Sequence, residues 1–288
     1  TYAEIRQIGE DFRRIAEAAD DSLKQNRIAL IVSPEALHAL RWFPTAQDLS
    51  YNDVVSQFHQ ALYELNLECD ILYDREKDWR DYELLIFPEL YCAPESMIRR
   101  VRDYVEQGGS VFAGFRSFFA DENCAIRDSR QPYGLNDVFG MHYSHFTKDK
   151  TSCFIELLEP DTAEVIKRHA GRYWSSYAAV TRNRFGNGHA WYVGKTADAA
   201  ALKAHISAAC IDAGISLPDL SWPVICRNNL GADGCTYCFL LNYSDGSVQI
   251  DPPVCGTDIL TGELLTKGSP AEIKAWDLRI VCSQGPGQ

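Results

Sequence analysis

The sequence lacks a long apolar run and a leader-like start. No stretch approaches the roughly 20 apolar residues that a membrane-spanning helix needs. The first residues, Thr1-Tyr-Ala-Glu4, have neither a basic n-region nor an apolar h-region. We therefore expect a soluble chain without a membrane partner, and the start without Met suggests a fragment or a processed protein.

Basic residues are also few. Lys and Arg number 28 against 40 Asp and Glu, which gives a net charge of −12. The basic residues are scattered along the chain, whereas nucleic-acid binders concentrate them in patches or stripes. Nucleic acid is therefore not an expected partner.

Cysteine is the residue that the chain has in plenty, with ten in 288 residues. These cysteines are dispersed through predicted helices and strands, and a chain of this length can bury a core without disulfide bonds. The composition favours reduced thiols and a cytoplasmic location.

Short apolar strands alternate with helical segments over the first two thirds of the chain. Residues 27–32 and 69–73 flank a helix that opens with the capping-box pattern Ser50-Tyr-Asn-Asp53. Residues 84–87 and 110–115 flank a second helix after Pro94. This alternation predicts an α/β fold with a parallel sheet of flavodoxin-like type, as in class I glutamine amidotransferases.

The pattern changes further along. Residues 177–184 and 190–193 flank the turn Gly186-Asn-Gly188 and predict a hairpin, and a helix over 197–213 ends before Gly214. From Trp222 onward only short alternating strands remain, which predicts a small antiparallel β-domain. We divide the chain into a linking helix at 1–26, a flavodoxin-like domain at 27–217 and the β-domain at 218–288.

The N-terminal helix has a narrow apolar seam. Ile5, Ile8, Phe12 and Ile15 follow a helical spacing, with Ala19 and Leu23 beyond them. Either the seam docks on the adjacent domain or its partner lies outside this sequence. Docking is favoured slightly, because an exposed seam would promote aggregation.

Four sequence motifs resemble one enzyme family: Leu40-Arg-Trp-Phe-Pro44, Tyr82-Glu-Leu-Leu-Ile-Phe-Pro-Glu-Leu-Tyr91, Tyr104-Val-Glu-Gln-Gly-Gly109 and Gly114-Phe-Arg-Ser-Phe-Phe-Ala-Asp-Glu-Asn123. Together they resemble the middle domain of glycoside hydrolase family 42 β-galactosidases. The flanking segments are similar to the helix that leaves the catalytic barrel and to the small β-domain that ends the family.

The resemblance implies a trimerisation domain and a C-terminal portion, without catalytic residues, of an enzyme that hydrolyses terminal β-D-galactosides with retention. In the family both catalytic glutamates belong to a (β/α)₈ barrel, a fold of about 250 residues that this sequence does not contain. It further implies a homotrimer, with contact to the β-galactoside substrate only through the barrel. No cofactor and no metal are expected.

Ligands of open parallel sheets bind beyond the carboxyl ends of the strands. This places segments 33–44, 73–78, 88–92 and 116–123 on one rim. The candidates there for a subunit interface or an active-site rim are Arg41, Trp42, Phe43, Arg116, Asp121, Glu122 and Asn123. The structural alternatives are a local lid for the first three and a loop-fixing network for the rest.

Three other functions have partial signals in the sequence. Cys92 lies between a strand and a helix, as an amidotransferase nucleophile does, but it has no glycine frame and no evident base, although His142 and His145 are candidates. Cys235-Thr-Tyr-Cys238 lacks the second half of a zinc site. A carbohydrate-binding module would use Trp222, Tyr237, Tyr243 and Trp276.

Overall fold

A computed structural model describes residues 2–19, 22–44, 46, 49–73, 78–148, 154–196 and 198–283. The described chain divides into two compact units. The α/β unit comprises residues 26–62 and 69–216, and the β unit comprises residues 1–25, 63–68 and 217–288. The predicted linking segment 1–26 therefore falls almost entirely in the β unit.

The helices are α1 (Tyr2–Ala19), α2 (Pro34–Trp42), α3 (Tyr51–Glu64), α4 (Glu95–Glu106), α5 (Asn136–Phe139) and α6 (Ala199–Asp212). The strands up to the hairpin are β1 (Ile28–Val32), β2 (Cys69–Tyr73), β3 (Leu84–Phe87), β4 (Ser110–Ala113), β5 (Met141–His142), β6 (Phe146–Lys148), β7 (Phe154–Glu156), β8 (Glu159–Pro160), β9 (Glu164–Arg168), β10 (Ala178–Phe185) and β11 (Gly188–Val193). The remaining strands are β12 (Val224–Leu230), β13 (Thr236–Asn242), β14 (Val248–Ile250), β15 (Gly256–Asp258), β16 (Leu264–Leu265), β17 (Ala271–Ile273) and β18 (Leu278–Ser283).

A seven-stranded sheet forms the centre of the α/β unit, in the order β2-β1-β3-β4-β11-β10-β9. The five strands from β2 to β11 run parallel, and β10 and β9 add an antiparallel edge. Every residue of β3 and β4 is buried, as expected for strands covered on both faces. The predicted α/β class with a mostly parallel sheet is confirmed.

Local signals explain where the helices begin. The Ser50 hydroxyl accepts the N–H of Asp53 at 3.2 Å, and the Asp53 carboxylate accepts the N–H of Ser50 at 2.8 Å, so the predicted capping box opens α3. Ser33 likewise accepts the N–H of Ala36 and precedes Pro34 at the start of α2. No helix was predicted within the rim segment 33–44, so α2 is an addition to the predicted elements.

The predicted hairpin is formed by β10 and β11, and its turn packs closely on the start of β4. Gly186 has φ +57°, a conformation that glycine adopts without strain. A Cβ at Gly188 would lie 2.0 Å from the carbonyl oxygen of Gly109. Glycine is therefore required at 186 for the predicted turn and at 188 for a close backbone approach that was not predicted.

The segment between Ala120 and Asp161 contains α5 and four short strands. Strand β5 pairs with β8, and β6 pairs with β7. Phe139 and Tyr143 from this segment are buried against Phe118 or Tyr192 in the main core. Strands of two or three residues are too short for an alternation of apolar and polar residues to be recognised in the sequence.

The β unit contains a five-stranded antiparallel sheet in the order β12-β13-β18-β15-β16 and a separate pair, β14-β17. Its core includes Cys238, Leu240, Ile273 and Val281. The Asn66 side chain donates to the carbonyl oxygen of Val224 at 3.0 Å and accepts the N–H of Cys226 at 2.8 Å. A small antiparallel sheet was predicted and is confirmed.

Helix α1 presents its apolar seam to solvent. Ile5, Ile8 and Phe12 are all more than half exposed, and Ile15 is half-buried. Arg14 Nη1 donates to the carbonyl oxygen of Leu260 at 2.6 Å. No described residue of the β unit covers these side chains. Docking on the adjacent domain and a partner outside this sequence both stay predictions. The Ala19 side chain lies outside the described residues.

Candidate functional site

The candidate site lies at the carboxyl edge of the parallel strands. Strands β1, β3 and β4 end there side by side, and they are followed by segments 33–44, 88–94 and 114–126. Residues 74–77 of the predicted fourth segment lie outside the described residues. The structure therefore brings three of the predicted rim segments to one edge of the sheet.

Arg116 connects these segments. Its backbone N–H donates to Glu156 Oε1 at 3.0 Å, and its Nη1 donates to the carbonyl oxygen of Phe43 at 2.8 Å. Its guanidinium lies 4.6 Å from the centre of the Tyr91 ring, within cation–π range. Only 8% of Arg116 is exposed. A predicted rim residue is thus a buried connector between β4 and the end of α2.

Arg116 also has a strained backbone. Its φ is +55°, and Phe118 and Cys124 follow with φ +63° and +62°. Residues with side chains rarely adopt this region, and each instance costs on the order of 1 kcal/mol or more. Three such residues within one loop show that its surroundings impose the loop conformation.

Glu156 is the buried acid of the site. It lies at the end of β7, is fully buried, and accepts a hydrogen bond from Tyr192 Oη at 3.3 Å in addition to the Arg116 N–H. Burial raises its pKa to about 8, against the smaller opposing effect of hydrogen bonds from Tyr143, Arg116 and Tyr192. The carboxyl group is therefore mainly protonated at neutral pH.

Sequence reasoning missed Glu156. The signal was a single acid inside the apolar run from Phe154 to Leu158. An isolated carboxyl among apolar residues indicates burial and a displaced pKa. Its partners could not be read from the sequence, because Arg116, Tyr143 and Tyr192 come from three separate segments.

Arg41, Trp42 and Phe43 stand at the end of α2. Trp42 is 84% exposed and Phe43 is 57% exposed, and Arg41 is also exposed. The predicted alternative, a lid packed on its own sheet, does not fit these exposures. The hydrogen bond from Arg116 to the Phe43 carbonyl oxygen fixes the backbone, while the rings of Trp42 and Phe43 remain exposed to solvent.

Asp121 fixes the loop after β4. Its Oδ1 accepts the N–H groups of Asn123 and Ala125, both at 2.9 Å. Glu122 and Asn123 are exposed beside it. Arg116 and Asp121, both described, form no ion pair with each other, so the predicted loop-fixing network consists of hydrogen bonds.

The surroundings of Cys92 do not support a nucleophile. Its thiol is buried 3.5 Å from the Cys124 sulfur, and burial raises its pKa well above the ordinary value. His142 is engaged elsewhere, with Nδ1 at 2.8 Å from the Asp161 carboxylate. Catalysis of the amidotransferase type needs a thiolate and a nearby base, and the described residues offer neither.

The aromatic residues considered for sugar binding are divided between core and surface. Tyr237 is buried. Trp222 and Tyr243 stack with ring centroids 6.0 Å apart and are both exposed, as is Trp276. A carbohydrate-binding role stays a prediction. Among the described residues, no three His, Cys, Asp or Glu side chains are grouped so as to hold a metal ion.

A cavity that the sequence analysis did not predict lies at the amino end of the sheet. Its volume is about 510 Å³, and it is lined by side chains that include Trp79, Arg80 and Arg100 and by Gly108 and Gly109, which precede β4. The Arg100 guanidinium lies 3.7 Å from the centre of the Trp79 ring. This cavity thus lies at the end of the sheet opposite the predicted rim.

The fold and the motifs of the carboxyl edge identify the family. Residues 26–216 match the family described as the β-galactosidase trimerisation domain, and residues 227–282 match the β-galactosidase C-terminal domain. The chain belongs to the glycoside hydrolase family 42 β-galactosidases, of which it represents the trimerisation and C-terminal portion.

Individual relatives agree with this assignment. The chain is 24% identical to β-galactosidase LacA of Lactobacillus acidophilus over 298 residues, covering 97% of this chain and 44% of the relative. It is 27% identical to β-galactosidase BgaP of Planococcus sp. over 274 residues, covering 87% of this chain and 40% of the relative. The chain thus spans less than half the length of these curated relatives.

Solved structures show the same fold. A β-galactosidase from Bacillus circulans sp. alkalophilus superposes with a TM-score of 0.89 at 22% identity, covering 98% of this chain and 45% of that one. None of the helices within the described ranges combines the length and the apolar character needed to cross a bilayer.

Proposed function

We propose that this chain is a self-association module of a β-galactosidase, and that it assembles as a homotrimer through the carboxyl edge of its sheet. The observation that carries the proposal is the match of residues 26–216 to the trimerisation domain. The contact would comprise Arg41, Trp42, Phe43, Asp121, Glu122 and Asn123, and the buried Arg116 would support Phe43 without reaching the partner.

The exposure of Trp42 and Phe43 and the ordered backbone beneath them support this surface as the site of self-association. Trp and Arg are enriched among the residues that dominate interface energies, and Trp42 is the most exposed large apolar residue of the α/β unit. A pre-ordered surface loses less conformational entropy on binding. The Arg116 side chain donates to the carbonyl oxygen of Phe43 and so fixes the backbone there. The exposed rings of Trp42 and Phe43 therefore stand on an ordered segment.

The proposal extends to the intact enzyme. It would hydrolyse terminal β-D-galactosides with retention, using two carboxylic acids that retaining enzymes place about 5–5.5 Å apart. No pair in this chain is assigned that task, since Asp121 is engaged by backbone N–H groups and Glu156 is fully buried. The catalytic glutamates are proposed to lie in the barrel of the intact enzyme.

Three finer points belong to the same proposal. The order of the parallel strands, β2-β1-β3-β4-β11, is the 2-1-3-4-5 order of flavodoxin-like sheets and supports that class. The domain limits remain 27–217 and 218–288, preceded by the segment 1–26. The cysteines in the described ranges are free, which supports a cytoplasmic location.

Sedimentation equilibrium over a wide concentration range tests the assembly. The wild-type chain should fit a monomer–trimer equilibrium, and Trp42→Ala with Phe43→Ala should weaken it at least tenfold, since each hot-spot truncation costs about 2 kcal/mol. Tyr173→Ala is the matched control, because Tyr173 is a 77% exposed aromatic in a different loop of the same unit. A wild-type chain that stays monomeric at every concentration contradicts the proposal.

A further inference from the structure

Two cysteines meet at the carboxyl edge although 32 positions separate them in sequence. Cys92 follows β3, and Cys124 ends the loop after β4. Their sulfur atoms lie 3.5 Å apart. The backbone is paired next to them, since the Ala93 N–H donates to the carbonyl oxygen of Ala120 at 2.9 Å and Cys92 forms a parallel bridge with Ala120.

We propose that Cys92 and Cys124 are an oxidisable dithiol that forms a disulfide by exchange with a low-molecular-weight disulfide. Cys124 directly follows the proposed self-association residues Asp121–Asn123, so the pair is tested at a protein concentration below that of trimer formation. The proposal itself does not depend on the proposed function. Its product is a covalent link between the loops that follow β3 and β4.

The geometry needs only a small closure. A disulfide has a sulfur–sulfur distance of about 2.05 Å, so the two atoms must approach by roughly 1.5 Å. Cys124 has φ +62° and is held by the bond from its N–H to the carbonyl oxygen of Asp121 at 3.0 Å. The conformation that this strained residue adopts directs its side chain against Cys92.

Accessibility decides which sulfur reacts first. Cys124 is half-buried, whereas Cys92 is almost fully buried. The Cys124 thiolate attacks one sulfur of the small disulfide, giving a mixed disulfide and releasing one small thiolate. Burial keeps the Cys92 thiol protonated, so the second step is the slower one. The Cys92 sulfur attacks the Cys124 sulfur and expels the second small thiolate, which takes up the Cys92 proton as it leaves. Two protein thiols are oxidised and one small disulfide is reduced to two thiols.

The β unit supplies an internal comparison. Cys226 and Cys238 also have sulfur atoms 3.5 Å apart, but both side chains are buried in the core of that unit. Cys255 is exposed and has no described cysteine beside it. An oxidant that needs access should therefore link the first pair, leave the second pair reduced and form only a mixed disulfide at Cys255.

The test incubates the native 288-residue chain with glutathione disulfide and glutathione at increasing ratios. Acid quenching, alkylation of the remaining thiols and peptide mass spectrometry then report each cysteine. We expect a Cys92–Cys124 linked peptide, at a ratio that leaves Cys226 and Cys238 alkylated, and full reversal by dithiothreitol. Urea present during oxidation should remove this selectivity.

Two variants separate the steps. Cys92→Ser should leave Cys124 as a stable mixed disulfide with glutathione, and Cys124→Ser should leave Cys92 at least tenfold less modified than Cys124 is in the first variant. Circular dichroism confirms that each variant is folded, and the wild-type result stands without them. A wild-type Cys124 that is free or remains in a mixed disulfide, under conditions that fully modify Cys255, overturns the proposal.

Discussion

The two ends of the parallel sheet are built differently. At the carboxyl edge, the buried Arg116 N–H donates to the buried Glu156 carboxyl group, and the Arg116 side chain donates to the carbonyl oxygen of Phe43. The ring of Phe43 is exposed to solvent. At the amino edge, a cavity of about 510 Å³ opens beside Trp79 and Arg100. The edge at which a ligand is expected in such sheets is therefore the more completely filled one, with a cavity of only about 20 Å³ beside Pro88 and Gly114.

The difference indicates what the carboxyl edge does in this unit. Its polar residues are used to hold loops in a strained but ordered conformation, and its apolar residues Trp42 and Phe43 face solvent. A filled edge with exposed aromatic rings suits association with another protein surface better than capture of a small molecule.

The largest effect is expected from the pH dependence of Glu156. Its pKa of about 8 in the folded state exceeds the ordinary value of 4.5, so between these values the folded chain holds a proton that the unfolded chain has lost. Stability should then fall as pH rises from 4.5 to 8, by on the order of 4 kcal/mol from this group. Urea unfolding of wild type and Glu156→Gln at several pH values measures the difference.

The glutamine variant keeps the shape of the side chain without an ionisable group, so its stability should decline less over the same range. Asp53→Asn serves as a control, because the lowered pKa of that exposed carboxyl confines its pH-dependent contribution to pH values near and below its ordinary pKa of 3.8, so any loss of stability in this variant should be constant between pH 5 and 8. Parallel curves for wild type and Glu156→Gln between pH 5 and 8 would show that Glu156 is ionised within the fold.

The next effect concerns the contact of the two loops at the carboxyl edge. A Cβ added to Gly114 would lie 2.0 Å from the carbonyl oxygen of Pro88, which is backbone and cannot turn away. Gly114→Ala should therefore destabilise the α/β unit by about 3 kcal/mol. Gly246→Ala is the control, since nothing lies within 4 Å of its added Cβ. Equal thermal midpoints of the two variants would mean that the loops containing Pro88 and Gly114 move apart at little cost in free energy.

A smaller effect compares one arginine at each end. Arg116→Ala removes the bond to the Phe43 carbonyl oxygen and a buried cation–π contact, and should cost about 2–3 kcal/mol. Arg100→Ala at the amino edge removes the stacking on Trp79 and should cost about 1 kcal/mol. Urea unfolding ranks the two variants. A greater loss of unfolding free energy for Arg100→Ala than for Arg116→Ala would show that the amino edge, and not the carboxyl edge, depends more on its arginine.

Much of this fold could be predicted because its signals are local. The capping box at Ser50 and the turn at Gly186 are read from a few neighbouring residues, and both occur where predicted. Helix α2 was missed although Ser33 and Pro34 carry an N-terminal signal, because its nine residues follow a strand without a linker. The resemblance of four motifs then identified the family.

The interior of the site could not be predicted, because it depends on contacts between distant segments. Nothing local joins Arg116 to Phe43, which are 73 positions apart, or Cys92 to Cys124. The raised pKa of Glu156 likewise results from its burial in the fold and not from its neighbours in sequence. Asp121 and Arg116 were correctly placed on one loop, but their separate partners only appear in the folded chain.

Hydroxyl-radical footprinting at low and high protein concentration tests the central claim most directly, because it reports where copies of the chain meet. Trp42 and Phe43 should lose most of their oxidation as the trimer forms, while Trp276, an exposed tryptophan of the β unit, stays equally reactive. Unchanged oxidation of Trp42 in a chain that sediments as a trimer would contradict the account.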